Sequence, residues 1–455
     1  MKLRRARHSG MDAGIQRPGM ANLKRRQAFC NDGVLVNIKI TGSSLSLWQP
    51  SYCSQRKLLM KFVNFLFHIY QPPVQEHEIL ERIVKESYEP LTRKIREASG
   101  LKFSLNINYS LVELLHEPFP QILENIRAAH DEGILELTET GAYHPIFPLI
   151  PYEEVERQIR LNHEGNQRLL TPDFNPQGII SPEMAFTGNL ASQFQSLGYQ
   201  WTIADDGNLD YYGIDVPFDT IYCQDDLGVL LRSNHWSNRF ANNDNNWVHG
   251  QDFVEELLAS MNQWMGDRDG YLIIALDGET FGHHQQKYSE VFLGEMFAAF
   301  DQHKDKIQTA HLAEIFAHFK QVTQFIPPGS WSTDRADIDN RDYFSWWKSH
   351  KNPIHVLQWQ FCELVLDNVR RLNDKNLNGD MDKALYSCQF WWANYWKFDK
   401  PENSQEIYKG AFNLMRILQK AWVMTGNDDD IGKGEKLFRE LVTAIENKRH
   451  LLENR

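Results

Sequence analysis

Cysteine is scarce and scattered in this chain. Its 455 residues hold five, Cys30, Cys53, Cys223, Cys362 and Cys388, with no CxxC pair. That spacing speaks against a cysteine-based zinc site and fits reduced, unpaired thiols in a cytoplasmic protein. No run of about 18 apolar residues is present, so no transmembrane helix and no membrane partner are expected. The basic start Met1-Lys2-Leu3-Arg4-Arg5 is followed by Ser9-Gly10-Met11-Asp12, not by the apolar stretch of a signal peptide. A GxGxxG fingerprint is missing too, which argues against a doubly wound sheet. Positive charge is in deficit: the net charge of −12 argues against nucleic acid as the main partner.

The deficit is uneven. Residues 1–60 carry eleven Lys and Arg against Asp12 and Asp32, so a basic arm precedes an acidic body. Residues 1–59 show no useful periodicity beyond one strand-like run at 34–40 and are expected to be a disordered arm. An alternative is that translation starts at Met60, which opens directly on a strand. The thirteen Trp suit either a large core or a groove that stacks on flat ligand faces.

From Met60 onward strands and helices alternate. Strand-like runs fall at 62–67, 101–107, 134–138, 178–181, 201–204, 229–232 and 271–276. Helical stretches lie at 76–98, 120–132, 152–169, 191–197 and 252–264. Alternation of this kind predicts a parallel sheet. Polar clusters follow at least four strands, as they do in barrels, whereas a doubly wound sheet gathers its site at one switch point. The expected architecture is α/β, an incomplete (β/α)7 barrel over 60–325. After the breaker Pro327-Pro328-Gly329 the pattern turns helical, and a C-terminal helical bundle is expected over 326–455.

The most informative stretch is Ile273-Ile274-Ala275-Leu276-Asp277-Gly278-Glu279-Thr280-Phe281-Gly282-His283-His284, an apolar strand that stops at a carboxylate. Gly178-Ile179-Ile180-Ser181-Pro182-Glu183 has the same form, and Pro182 stops the strand because it cannot donate a ladder hydrogen bond. Retaining glycosidases place a nucleophilic carboxylate and a general acid/base about 5–5.5 Å apart. Glu183 and Asp277, at the ends of two barrel strands, are candidates for that pair. Candidate substrate-binding residues stand around them: His68 and Gln71 after the first strand, Glu136, Tyr143 and His144 near the third, and Arg232 and Trp236 near the sixth. Glu279 and His283 follow the seventh. Arg232 is expected to hold a carboxylate in its charged form.

These motifs resemble those of glycoside hydrolase family 57. His68-Ile69-Tyr70-Gln71-Pro72 resembles the first of five family regions, Glu136 through Pro148 the second, and Ser181-Pro182-Glu183-Met184-Ala185-Phe186 the third. Asp277-Gly278-Glu279-Thr280-Phe281-Gly282-His283 resembles the fourth. The resemblance implies an incomplete (β/α)7 barrel with a helical region, Glu183 as nucleophile and Asp277 as acid/base. It also implies a retaining mechanism on an α-glucan or maltooligosaccharide. Tyr70 stands where many members carry a second histidine, so that position holds no positive charge. The fifth region is similar to segments at Trp331, at Trp346 and Trp347, at His355 and Trp359, and at 388–392. Trp331 and Trp392 are candidates to close over the barrel mouth, or to pack the bundle against the barrel.

No cofactor or metal is expected, and the oligomeric state is open. Two other readings compete. One is a metal-dependent deacetylase or mannosidase-like hydrolase using His68, Asp277 and His283 or His284, although adjacent histidines are poorly spaced for one metal. The other is a glucan-binding protein without turnover.

Overall fold

The computed structural model describes residues 60–394 and 396–454. The expected N-terminal arm lies outside the described residues. The rest belongs to one compact unit.

Among the described residues nine strands form the sheet: β1 (Lys61–Ile69), β2 (Phe103–Ile107), β3 (Leu135–Thr138), β4 (Trp201–Asp205), β5 (Thr220–Gln224), β6 (Leu227–Arg232), β7 (Gly270–Asp277), β8 (Ile307–Thr309) and β9 (Lys320–Thr323). The ladder order is β3-β2-β1-β7-β6-β5-β9, and β4 pairs with β6 in parallel. The ladder is open between β3 and β4. Residues 178–180 span that gap with single parallel bridges, Glu139 to Ile179 and Gly178 to Trp201. The β6–β7 join is thin as well, with the one register pair Arg232–Ile273. The result is an incomplete (β/α)7 barrel, parallel throughout except for the β5–β6 pairing.

Alternation along each strand builds two faces. Val63, Phe65, Phe67 and Ile69 point outward into a core shared with the surrounding helices. Leu66, Ile203, Leu230, Ile273 and Ala275 fill the barrel interior. The same alternation sends Asn64, Ser104, Asn106, Glu136, Thr138 and His68 inward, so one sector of the interior is polar. Register places His68 beside Asn106 and Asp277, and Leu66 beside Ser104 and Ala275. His68 and Asp277 therefore share the C-terminal rim.

Glu136 belongs one layer lower. It pairs in register with Ser104, accepts from Ser104 Oγ at 2.7 Å, and accepts from the backbone N–H of Leu312 (2.7 Å) and Ala313 (3.0 Å). It caps the short helix Leu312–His318, whose Leu312 and Ile315 plug the interior. The expected substrate contact is thus corrected: Glu136 lies within β3, as the expected strand 134–138 has it, but its carboxyl is spent below the rim on Ser104 and the backbone of Leu312 and Ala313. Burial pushes its carboxyl up to about 7, against the donors that favour the charge. A raised folded value means this group's stability is complete below about 4.5 and declines as pH rises through about 7. Thermal melts of Glu136→Gln are expected to lose that slope between these values; an unchanged slope would refute the assignment.

The helix expected over 76–98 is broken. His77–Ile83 passes into a π-turn, Val84–Tyr88, and resumes as Glu89–Glu97. Pro90 is the cause: it has no N–H and its ring crowds the carbonyl four residues back. The widened turn faces residues 278–283. Strand β5 was not expected. It forms an antiparallel hairpin with β6 through Asp225-Asp226, both at positive φ (50° and 62°), the backbone a two-residue hairpin turn demands.

Long helices, including Pro353–Leu372, Ser404–Thr425 and Asp428–Glu453, make the C-terminal region. Their core contains Trp347, Trp359, Phe361, Leu414 and Leu441, and it takes in Ile146 and Ala185 from the loops above the barrel. Among the described residues no helix is long and apolar enough to cross a membrane.

Candidate active site

Glu183 sits in a short 3-10 turn, Pro182–Met184, with φ of 60° and ψ of 17°. Left-handed backbone at a residue with a Cβ costs about 1–2 kcal/mol, so surrounding bonds must hold it. A loop of the linker to the helical region does so. Phe186 and Gly329 exchange backbone hydrogen bonds at 2.7 and 3.1 Å, and the Trp331 N–H reaches the Glu183 carbonyl at 3.3 Å. The Trp331 indole Nε1 donates to Glu183 Oε2 at 2.8 Å. On the other side, His144 Nδ1 lies 4.0 Å from Glu183 Oε1. Burial, and then the negative charge of Asp277, push the Glu183 carboxyl up to about 8, against the Trp331 bond.

Asp277 ends β7 half-buried, and its charge acts on His68, Glu183 and Glu279. His68 Nδ1 bonds Asn106 Oδ1 at 2.8 Å. A ring stack covers this part of the mouth: His68 on His144 at 5.0 Å and Tyr70 on His144 at 4.0 Å. Burial lowers the pKa of both histidines, that of His144 well below its usual value, so both rings are neutral donors and acceptors. The helical region closes the wall. Ser387 Oγ meets His144 Nδ1 at 2.9 Å, the Ser387 N–H bonds the His144 carbonyl at 3.1 Å, and Cys388 Sγ lies 3.9 Å from the Tyr70 hydroxyl.

Glu279 faces away from this mouth. Its Oε1 accepts from Gln71 Nε2 at 3.0 Å and from the Tyr88 hydroxyl. Ser87 Oγ bonds the Gly278 carbonyl at 2.9 Å, and His283 Nδ1 meets Glu86 Oε2 at 2.5 Å. The π-turn thus grips the stretch after Asp277. Gly282, at φ 99°, packs so close that a Cβ would stand 2.0 Å from the Glu86 carbonyl oxygen. Gln71, Glu279 and His283 therefore brace the turn; substrate contacts had been expected of Gln71 and His283, and of Glu279 either support of the turn or a sugar hydroxyl.

Arg232 is 3% exposed and fully engaged. It donates to Asp205 Oδ2 (2.5 Å), Asn238 Oδ1 (3.0 Å) and the Ala275 carbonyl (2.8 Å). The carboxylate it holds is Asp205, which sequence reasoning missed although Trp201–Asp205 is another apolar strand ending in acids. Two further expectations are corrected. Trp236 is 1% exposed and stacks on Trp247 at 6.1 Å in the outer core, because its helix turns that face inward. Tyr143 packs against Tyr109 under Lys383 Nζ, also in the outer core. Trp392 packs on Trp391 at 5.0 Å in the helical region. Among the described residues no three His, Cys, Asp or Glu side chains group as a metal site.

The chain belongs to glycosyl hydrolase family 57, whose profile matches residues 48–327. It is similar to the alpha-amylase of Pyrococcus horikoshii, 26% identical over 149 residues, which are 32% of this chain and 23% of that protein. The chain thus covers under a quarter of the length of that curated relative. The solved 4-alpha-glucanotransferase of Thermococcus litoralis superimposes with a TM-score of 0.64 at 17% identity, over 79% of this chain and 59% of that one. The branching enzyme of Pyrococcus horikoshii gives 0.63 at 14% identity, over 85% and 94%. The two likenesses are of fold.

Proposed function

We propose that this protein is a retaining glycoside hydrolase or transglycosylase acting on α-1,4- or α-1,6-linked glucans. One observation carries the reading: in a chain of this family, Glu183 and Asp277 stand at one barrel mouth, close enough for the charge of Asp277 to act on the Glu183 carboxyl. Glu183 attacks the anomeric carbon as the bond to the leaving oxygen breaks. Asp277 gives its proton to that oxygen, then removes one from water or an acceptor hydroxyl as the glycosyl–enzyme ester is cleaved. His68, His144 and Tyr70 supply neutral hydrogen-bonding groups to sugar hydroxyls. The substrate class is supported by the names of the relatives: alpha-amylase, 4-alpha-glucanotransferase and branching enzyme. The mechanism invokes no cofactor.

Trapping tests this reading. Incubation with a 5-fluoro-α-glucosyl fluoride, which loses its anomeric fluoride to the carboxylate, followed by pepsin digestion and mass spectrometry, is expected to place one 5-fluorohexosyl adduct on the peptide containing Glu183. An active enzyme whose adduct maps to another peptide would overturn the assignment.

A further inference from the structure

The retaining mechanism requires one proton distributed in one way: Asp277 protonated, Glu183 ionised. Burial alone does not provide this, since it disfavours the charge on Glu183. We propose that Trp331 selects the productive arrangement, as a hydrogen-bond donor to the ionised Glu183, and that Arg232 is the positioning residue that holds Trp331 in place. The proposal rests on the reading of Glu183 as nucleophile and goes beyond it.

Three observations place Trp331 in this role and not as a platform for sugar rings. Its indole N–H is committed to Glu183 Oε2 at 2.8 Å. The Arg232 guanidinium lies over its ring, 5.5 Å from the centroid, and His68 meets the ring edge-on at 6.0 Å. Its loop is pinned at both sides. Asn208 Nδ2 donates to the Ser330 carbonyl at 3.1 Å, and Thr333 Oγ1 bonds the Ser330 N–H at 2.8 Å and the Tyr343 carbonyl at 2.7 Å. Arg232 is in turn immobilised by Asp205, Asn238 and the Ala275 carbonyl.

The groups facing Glu183 come from every neighbouring element. They are Asp277 on β7, neutral His144 after β3, Tyr70 after β1, Cys388 from the helical region, and Trp331. Of these, the one hydrogen-bond donor that the structure assigns to the carboxylate is Trp331. A donor to the charged form lowers the cost of ionising Glu183 and leaves the proton with Asp277. Removing it shifts the shared proton toward Glu183. The productive fraction then falls, and the limbs of the kcat/KM profile move to higher pH as the Glu183 carboxyl becomes harder to ionise.

Trp331→Phe keeps the ring and loses the N–H. The expected result is a fall in plateau kcat/KM of about tenfold, carried by kcat, with limbs displaced upward by about half a unit to one unit. A rise in KM with kcat and both limbs unchanged would overturn the proposal and make Trp331 a sugar platform. Arg232→Lys keeps the charge and loses the planar face; it is expected to move the limbs in the same direction. A lowered melting temperature with unmoved limbs would remove Arg232 from the proposal. The functional reading is separated by titrating ¹³C-labelled Glu183, which needs no turnover. A Glu183 resonance that titrates alike in parent and Trp331→Phe sinks this inference even where Glu183 is confirmed as nucleophile. An adduct on another residue sinks the functional reading whatever the titration shows.

Discussion

Glu183→Gln is expected to lose turnover on α-glucans by about 10⁴-fold or more, the scale on which removal of a covalent nucleophile is felt. Gln is isosteric, can still accept from Trp331 Nε1, and leaves the turn's φ of 60° unchanged. The loss therefore reports chemistry and not folding. A companion variant, Glu183→Gly, replaces a strained residue by the one best suited to that φ, so the protein is expected to fold at least as well. With α-glucosyl fluoride and added azide, Glu183→Gly should form the β-glycosyl azide, because azide enters from the face the carboxylate vacated. Asp277→Ala should form the α-azide, since azide then intercepts the glycosyl–enzyme. Product configuration by NMR distinguishes the two. Turnover retained in Glu183→Gln, or azides of the opposite configurations, would overturn the assigned roles.

Arg232→Met is expected to destabilise the fold by about 3–5 kcal/mol, the effect of stranding a buried charge. Its partner Asp205 is 2% exposed, and burial pushes that carboxyl up even with Arg232 beside it. Without the guanidinium the carboxyl moves up further. A carboxyl with a raised folded pKa contributes stability at low pH that is lost as pH rises through the folded value. Denaturant unfolding of Arg232→Met should therefore show its largest deficit at alkaline pH and a smaller one at acid pH. Arg232→Met combined with Asp205→Asn should recover much of it. A deficit independent of pH would show that lost packing, not stranded charge, is the cause.

The strands that build the barrel were legible because they are buried on both faces and so read as nearly continuous apolar runs, as at 62–67 and 271–276. Glu183 and Asp277 were legible for a related reason: each ends an apolar run, so each lies at the rim. The errors have physical sources. Alternation shows which face a side chain takes but not its depth, and Glu136 was read one layer too high. Trp236 and Tyr143 follow strands closely, yet the next turn carries them into the outer core. Asp205 carried the same signal as Asp277. The Asp225-Asp226 turn could have revealed β5, though Asp-Asp is a weaker sign than Asp-Gly. Cys388 opens the segment 388–392 already likened to the fifth region, but nothing local shows that it and Ser387 reach the site, since they do so by long-range packing.

That packing sets an order of assembly. The barrel strands come first in the chain and so emerge first during synthesis, although they and the helical region belong to one compact unit. Ser387 and Cys388, which back His144 and Tyr70, lie far downstream, and so does the loop that holds Glu183. A growing chain can therefore present Asp277 and Glu183 while the site still lacks a wall. Chains cut short before Ser387 would carry both carboxyls and remain inert.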